Sequence, residues 1–587
     1  MLKSFFLDFF YRSFLLHLVL VAAFLTVSTM AFAQTKPRYS LQLVDAAGTF
    51  PTDIVRLYSF KNRSNRYNAL QDVRFEMFRR GHLSFSVDSI HEYGNKWIAY
   101  VHSGPRFDWA MLNRGNLDGA TLGSIRFRDK IFYERAMNPR QVSELFESIL
   151  EYCENNGYPF ATVKLDSVSI DNGKITAGIY MERNQLVVID SVIVRGSTKT
   201  NPAYFYNYVG IKPGSIYNER LVAAADQMLS ELPFVTAFKP TEVVFGEELT
   251  KVRYYLNERK ASRFDGILGL QPDELTGDIT ITGDVKLAVQ NAFKRGELIS
   301  LNWRRLQTAT QDIQVRFDHP YLFNTPFGMN LGFNLFRRDT TFVQVNGHLG
   351  VSYMFSGQDY IQAFVEPTQS NVISRSFNPS DGLANASITL FGAEVNLVDL
   401  DYTFNPTRGY QFFLKGAAGS RNIRKNPEID DSFYEGIELR STQWSGRINA
   451  RTFIPIGKRN TVMLGVKGAL LQAQTMFINE VYRIGGLHSI RGFDEESIFA
   501  SAYSIFTLEY RFLLEKNSNL FAFFDGAWYE TDTRNEYVRD TPYGFGAGIS
   551  FETGAGIFSL TYALGSQFGN PIQLRGGKIH FGFVNFF

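Results

Sequence analysis

From about residue 262 to the last residue, Phe587, the chain is a succession of strand-length segments in which apolar residues alternate with polar or small ones. Side chains on a strand point to opposite faces with a period of two, so these segments predict a wall with one apolar face and one wet face. In residues 504–512, Phe506, Leu508, Tyr510 and Phe512 share a face while Thr507, Glu509 and Arg511 take the other. In residues 520–529, Phe524 and Trp528 lie opposite Asp525, and at the end of the chain Ile579, Phe581, Phe583 and Phe587 alternate with Lys578, His580 and Gly582. The 54 Phe, 29 Tyr and 48 Gly suit such a wall, because aromatic residues favour strands and glycine admits bends and bulges.

Soluble sandwiches alternate in the same way, and the connections decide between the two. About 16 candidate strands can be counted, an even number compatible with a closed outer-membrane barrel. Short links are expected at residues 291–296, 356–359, 455–460 and 515–518, and long ones at 366–384, 420–438 and 477–500. Short periplasmic turns with long outer loops belong to a barrel, whereas a sandwich has no reason to segregate its loop lengths. Closure matters because an open edge facing hydrocarbon would leave amides unpaired, at roughly several kcal/mol each. A net charge of +2, 20% charged residues and a mean hydropathy of −0.14 exclude a disordered polymer, a strongly basic nucleic-acid binder and a helical membrane bundle.

At the start of the chain, Lys3 and Arg12 precede a stretch over residues 14–27 that is apolar apart from His17 and Thr26, and Ala31-Phe32-Ala33 precedes Gln34. Residues 1–33 read as a cleaved secretory signal, with an uncleaved anchor helix as the alternative. Cys153 is the sole cysteine, so no intrachain disulfide can form and folding rests on cores and sheets. Between about residues 39 and 260 the texture changes to ordinary charge density with helical as well as strand patterns. The clearest unit, residues 185–260, predicts a strand over 187–195, helices over 202–209 and 218–232, and strands near 241–245 and 252–258. A second, residues 104–184, predicts a helix over 139–156, a turn at Gly157-Tyr158-Pro159 and strands over 161–166 and 174–182. With a vaguer copy over residues 34–103, the recurrence at roughly 70 to 80 residues predicts three β-α-α-β-β modules in tandem, followed by a barrel over residues 261–587.

This arrangement, together with several local motifs, resembles the BamA/TamA superfamily of outer-membrane assembly and transport proteins. In that family, α+β periplasmic POTRA modules precede an all-β transmembrane 16-stranded antiparallel β-barrel. Ile490-Arg491-Gly492-Phe493 is similar to the family's (V/I)RGF signature in the sixth outer loop, which folds back into the barrel. The strand count places it between the eleventh and twelfth strands. Asp401 with Pro406-Thr407-Arg408-Gly409 is similar to the D…PTRG periplasmic turn, and Phe523, Asp525 and Gly526 to the FxDG strand. His319-Pro320-Tyr321-Leu322 followed by Pro326-Phe327-Gly328 resembles the early-barrel NPY…G segment. The likeness covers nearly the whole chain beyond Gln34, with the motifs in the family's order.

Three candidate sites follow. Glu509 and Asp525 fall on the lumen face of neighbouring strands, and a guanidinium can bind two carboxylates through its planar fork. An arginine in a loop tip is ordinarily a solvated charge, but with the resemblance Arg491 is expected to lock the loop inside the barrel. Gly485, Gly486 and Gly492 would allow the tight turns, and Phe493 would anchor it. The second site is the seam between the first strand, with Phe264, Gly266, Leu268 and Leu270, and the last, with Gly582, Phe583 and Phe587. The resemblance implies that this seam opens to admit substrate strands. A terminal phenylalanine serves equally as the barrel's own assembly signal, and Gly576, Gly577 and Gly582 are candidates for weakening the pairing. The third is the free sheet edge of each module, open to an extended client by strand addition or else covered by its neighbour.

Catalytic motifs are lacking: there is no HExxH, no clustered Cys/His set, no P-loop and no GxSxG beside a plausible triad. Gly544-Phe545-Gly546-Ala547-Gly548 fits a barrel strand better than a nucleotide loop, and Asp430-Asp431 and Glu495-Glu496 read as solvated outer-loop acids. The expectation is therefore a non-enzymatic, TamA-like assembly factor without cofactor or metal. Its implied partners are unfolded outer-membrane or secreted proteins, the lipid bilayer and, where one exists, a periplasm-spanning partner protein, with no nucleic acid. The alternatives are a two-partner-secretion translocator of a single exoprotein and a passive surface barrel. Three apparent modules and the lack of an evident plug helix favour the TamA type.

Overall fold

The computed structural model describes residues 39–586 apart from 46–47, 49, 248, 273–278, 308–309, 375–381, 403–404, 427–429 and 554–555. The signal-like residues 1–33 and the terminal Phe587 lie outside the described residues. The chain divides into two compact units, Met1–Leu186 and Val187–Phe587.

The first unit holds two small sheets. In one, β1 (Tyr39–Asp45), β2 (Leu57–Phe60), β3 (Ser86–Tyr93) and β4 (Lys96–His102) are ordered β2-β1-β4-β3. Helix α1 (Asn65–Arg79) covers them, burying Ala69, Leu70, Val73 and Met77 at helical spacing against Leu41, Leu43, Trp97, Ala99 and Val101. Arg66, on the same helix face, is fully buried, its guanidinium 4.2 Å over the Trp97 ring and bonded to Glu92. This sheet departs from the expected repeat, because β2 stands where a first helix was predicted. The second sheet does follow the β-α-α-β-β order: β5 (Asp108–Asn113), α2 (Gly119–Ile125), α3 (Pro139–Glu154), β6 (Thr162–Asp171) and β7 (Lys174–Glu182). Asp118 and Asn138 cap the two helices through Thr121 N and Arg140 N. Cys153 is buried under β7 with its thiol against the Met181 sulfur, a packing role.

The second unit opens with a third sheet, of β8 (Ile189–Arg195), β10 (Thr250–Glu258) and β9 (Val235–Phe245), ordered β8-β10-β9 and covered by α4 (Pro202–Val209) and α5 (Glu219–Glu231). Asn201 and Asn218 cap these helices, and Gly210, at φ +84°, ends α4. Strand β9 starts well before the predicted position near 241.

Sixteen antiparallel strands then form the barrel in chain order, from Arg263–Pro272 to Lys578–Phe586. A short extra strand, Tyr537–Asp540, prolongs the hairpin between the thirteenth (Ser518–Asp532) and fourteenth (Tyr543–Thr553) strands. Outside, the wall presents a band of apolar side chains, among them Leu331, Phe333, Phe391, Leu414, Phe506 and Phe581. Inside lie polar and charged groups such as Asp312, Gln362, Glu394 and Glu509. Hydrocarbon outside and water within is the environment that makes this arrangement stable.

Two expectations about the links need correction. The first two long links are shorter than predicted, because the seventh strand runs to Val372 and the ninth to Arg424, while the third is longer, running from 473 to 501, because the eleventh strand ends at Gln472. The links after the third and fifth strands, residues 308–309 and 339–341, are as short as the turns at the opposite end. Long loops are thus confined to the later part of the barrel.

The third module is built into one barrel end. Tyr204 lies over Gly296, where a Cβ would meet its ring at 1.9 Å, and edge-on to Tyr321. Asn291 donates to Thr200 Oγ1 at 2.7 Å, Asn201 N to Lys294 O at 2.8 Å, and Gly357 N to Tyr208 O at 3.0 Å. Three turns of the barrel therefore grip α4 and the residues before it. The His319–Pro320–Tyr321 segment supplies one of them, with Tyr321 held at φ +53°.

Candidate functional site

Residues 473–501 join the eleventh strand (Asn460–Gln472) to the twelfth (Ala502–Glu515) and turn into the lumen, stiffened at their base by pairing of Tyr482–Ile484 with Ile498–Ala500. The inner face of the neighbouring wall is set by strand alternation. Register pairs Glu509 with Phe523 and Thr507 with Asp525, so Glu509, Phe523 and Asp525 form one inward cluster across the twelfth and thirteenth strands. Arg491 enters it. Its Nε and Nη2 donate to the two oxygens of Asp525 at 2.7 and 2.8 Å, its Nη1 to Glu509 Oε2 at 2.6 Å, and its backbone N to Asp525 at 3.1 Å. The guanidinium also stacks 3.5 Å over Phe523, and Arg511 holds the second Glu509 oxygen at 2.8 Å. Asp525 is fully buried and Glu509 nearly so, so each charge is matched where water is scarce.

Glycines on both sides allow the approach. Gly492 sits at φ +97° against Leu564, and a Cβ on Gly544 would lie 1.9 Å from the Arg491 carbonyl oxygen. Gly544 is thus the point where the fourteenth strand meets the loop. Ile490 is fully buried and Phe493 packs on Gly565 of the fifteenth strand. Gly485 and Gly486 both take positive φ, closing the turn in which Glu495 accepts from Leu487 N.

Sequence reasoning missed the loop's other attachments. Arg421, on the ninth strand, and Glu480 form a fully buried bidentate pair at 2.8 and 2.7 Å, and Arg421 also reaches Thr475 O. Asn479 bridges Ser370 and Ala384. Glu496, read as a solvated acid, instead bonds Arg304 on the third strand and Arg483, at 3.2 Å, within the loop. Asp494 meets Lys578 on the last strand at 2.6 Å. The acids differ in no local way from solvated ones; only their partners distinguish them.

Along the seam, the first strand pairs with the second over its whole length, but with the last only at Arg263–Phe586 and Phe264–Asn585 among the described residues. On its other edge the last strand is laddered over most of its length, Gly582 pairing with Ser559 of the fifteenth strand, and Phe583 packs against Phe558 with ring centroids 4.6 Å apart. Phe264 is exposed on the outer face, whereas the side chains of Leu268 and Leu270, like Phe587, lie outside the described residues. Gly576 and Gly577 precede the last strand, so they cannot loosen its ladder.

In the Pro406-Thr407-Arg408-Gly409 turn, Asp401 accepts from Thr407 N at 2.9 Å, Arg408 N at 3.1 Å and the Thr407 hydroxyl. Gly409 takes φ +111° where a Cβ would strike the Asp399 carbonyl. Asn405 ties this turn to the one between the twelfth and thirteenth strands by donating to Lys516 O at 3.0 Å. Between these two turns and Val235, Thr236 and Ala237 at the start of β9 lies an open cleft of about 540 Å³. β9 is also an edge of its sheet.

Residues 291–587 match the Omp85 superfamily domain. Among solved structures, the chain is 14% identical to CdiB from Escherichia coli, covering 89% of this chain and 97% of that one with a TM-score of 0.53. CdiB from Acinetobacter baumannii matches at 13% identity over 89% and 98% of the two chains with a TM-score of 0.51. BamA from Haemophilus ducreyi lacking POTRA domains 1-3 matches over 81% and 99% at 14% identity and a TM-score of 0.40. No curated protein sequence matches the chain. Identities this low speak to the fold.

Proposed function

The chain belongs to the Omp85 superfamily of outer-membrane insertion and translocation proteins, and on that premise we propose that it is an assembly factor of the TamA type. Its modules face the periplasm, receive unfolded outer-membrane or surface proteins, and deliver their strands to the seam between the first and last barrel strands. The observation that carries this reading is the seam: among the described residues two residue pairs hold it, while the other junctions of the wall are paired along most of their strand length. A client strand gains backbone hydrogen bonds by adding there, which need little sequence specificity and no nucleotide. The loop crossing the lumen and pinned at Arg491 and Arg421 supports a lateral route over one through the pore.

Site-specific photo-crosslinking in cells, with probes on the two seam strands and on β9, tests the proposal. Capture of many nascent barrel proteins is the expected result. Capture of one secreted protein alone would replace the proposal with a single-client translocator, and no capture would return the chain to a passive barrel.

A further inference from the structure

Three consecutive acids follow the Arg491 cluster, and they reach opposite sides of the weak junction. Asp494 bonds Lys578 on the last strand at 2.6 Å, while Glu496 bonds Arg304 on the third strand, with Glu495 3.9 Å from the same guanidinium. Strands one and two lie between those two anchors. Register puts Arg304 level with Asp284 of the second strand and Ile267 of the first, three residues beyond Phe264, where pairing with the last strand has stopped. Lys578 begins the last strand, at the end away from the residues that pair with the first strand among those described. The acids therefore span the part of the seam that has no backbone ladder.

Glu496 carries a second mark of constraint. Its φ of +55° is a left-handed conformation that a non-glycine side chain rarely takes, and the Arg304 and Arg483 guanidiniums close on its carboxylate there. Arg483 in turn stacks 3.5 Å over Phe336 of the fifth strand, so the anchor on that side is itself braced by the wall. Asp494 and Lys578 are more exposed, at 71% and 36% of their side chains, which makes that end of the bridge the weaker one.

We propose that Asp494 and Glu496 form an ionic staple that holds the seam closed from inside the lumen, releasing at the Lys578 end when a client strand enters. This rests on the assembly reading above, in which the seam is the working site. Partly exposed ion pairs suit such a task, since each contributes little enough to be broken by strand addition. The staple is distinct from the Arg491 cluster, which holds the same loop to the twelfth and thirteenth strands without touching the seam.

The test uses the full-length protein in lipid vesicles, with Cys153→Ser and nitroxide labels at positions 268 and 581, and reads the seam by pulsed electron spin resonance. In the Asp494→Asn/Glu496→Gln variant, the widely separated population should rise about three- to tenfold, as the loss of two partly exposed ion pairs would produce. The charge exchange Asp494→Lys with Lys578→Asp should return it toward the parent. An unchanged distance distribution, with the loop still protease-resistant, would overturn the staple. Should the double variant fail to show heat-modifiable folding, Asp494→Asn alone is read in the same way, its pair being the exposed one. Client insertion measured on the same samples separates the two ideas. A widened seam with unchanged insertion retains the staple and removes the assembly reading, whereas changed insertion with an unchanged seam removes the staple only.

Discussion

Arg491 carries the argument at the scale of single residues. Removing it strips both buried carboxylates of their shared guanidinium, leaving Arg511 bonded to Glu509 and Asp525 without a bonded side-chain cation among the described residues. Arg491→Ala should destabilise the lumen loop by about 3–5 kcal/mol, the usual consequence of orphaning a buried charge. The expected readout is protease sensitivity within residues 473–501 and impaired client assembly; unchanged resistance would contradict it. Gly544→Ala should have a similar effect for a steric reason, because its Cβ would meet the Arg491 carbonyl at 1.9 Å. Gly416→Ala, where nothing lies within 4 Å, should leave heat-modifiability and loop protection as they are. The residue types of this cluster were legible in the sequence, since alternation put Glu509 and Asp525 on the inner face. Phe523 as the stacking partner and Gly544 as the place of closest approach were not, because both depend on how far the loop enters.

Among the elements, the seam and the loop are opposed cases. The seam is a β junction nearly without a ladder, while the loop is an irregular segment held by buried ion pairs at both ends. A disulfide between Phe264→Cys and Asn585→Cys, which sit opposite each other, should form in the Cys153→Ser background and stop client insertion while leaving passive conductance intact. Insertion that survives complete cross-linking, measured on the same sample, would remove the lateral route. The alternation that predicts a strand is the same whether its neighbour is paired or absent, so no sequence pattern could have shown where the ladder ends.

For the molecule as a whole, the third module and the barrel pack as one compact unit, and a titratable group lies in their joint. Burial pushes the Glu231 carboxyl up to about 7, with nearby Asp399 and Asp359 adding to the shift and the Tyr208 hydroxyl opposing it. Its protonated form suits the folded state, so its contribution to stability is fully present below the ordinary carboxylate range and is lost as pH rises through about 7. Glu231→Gln should therefore raise the resistance of α5 to urea-assisted proteolysis at pH 8 by about 1–3 kcal/mol and change little at pH 4. An equal effect at both values would assign Glu231 a purely steric role.

What the sequence determined by itself was local and periodic. Alternation with period two specified a two-faced wall, helical patterns placed the two helices of the third module, and the Ile490–Arg491–Gly492–Phe493 tetrapeptide, by its resemblance, located the inward loop. Where the rule failed, as in the first sheet, a four-residue strand too short to show alternation took the place of a helix. Tertiary structure alone decided which charges meet. Arg304, Lys578 and Arg421, which meet Glu496, Asp494 and Glu480, stand on strands far away in the chain, and closing the barrel is what sets them within reach. An ion pair depends on distance through space, and sequence spacing carries no record of it.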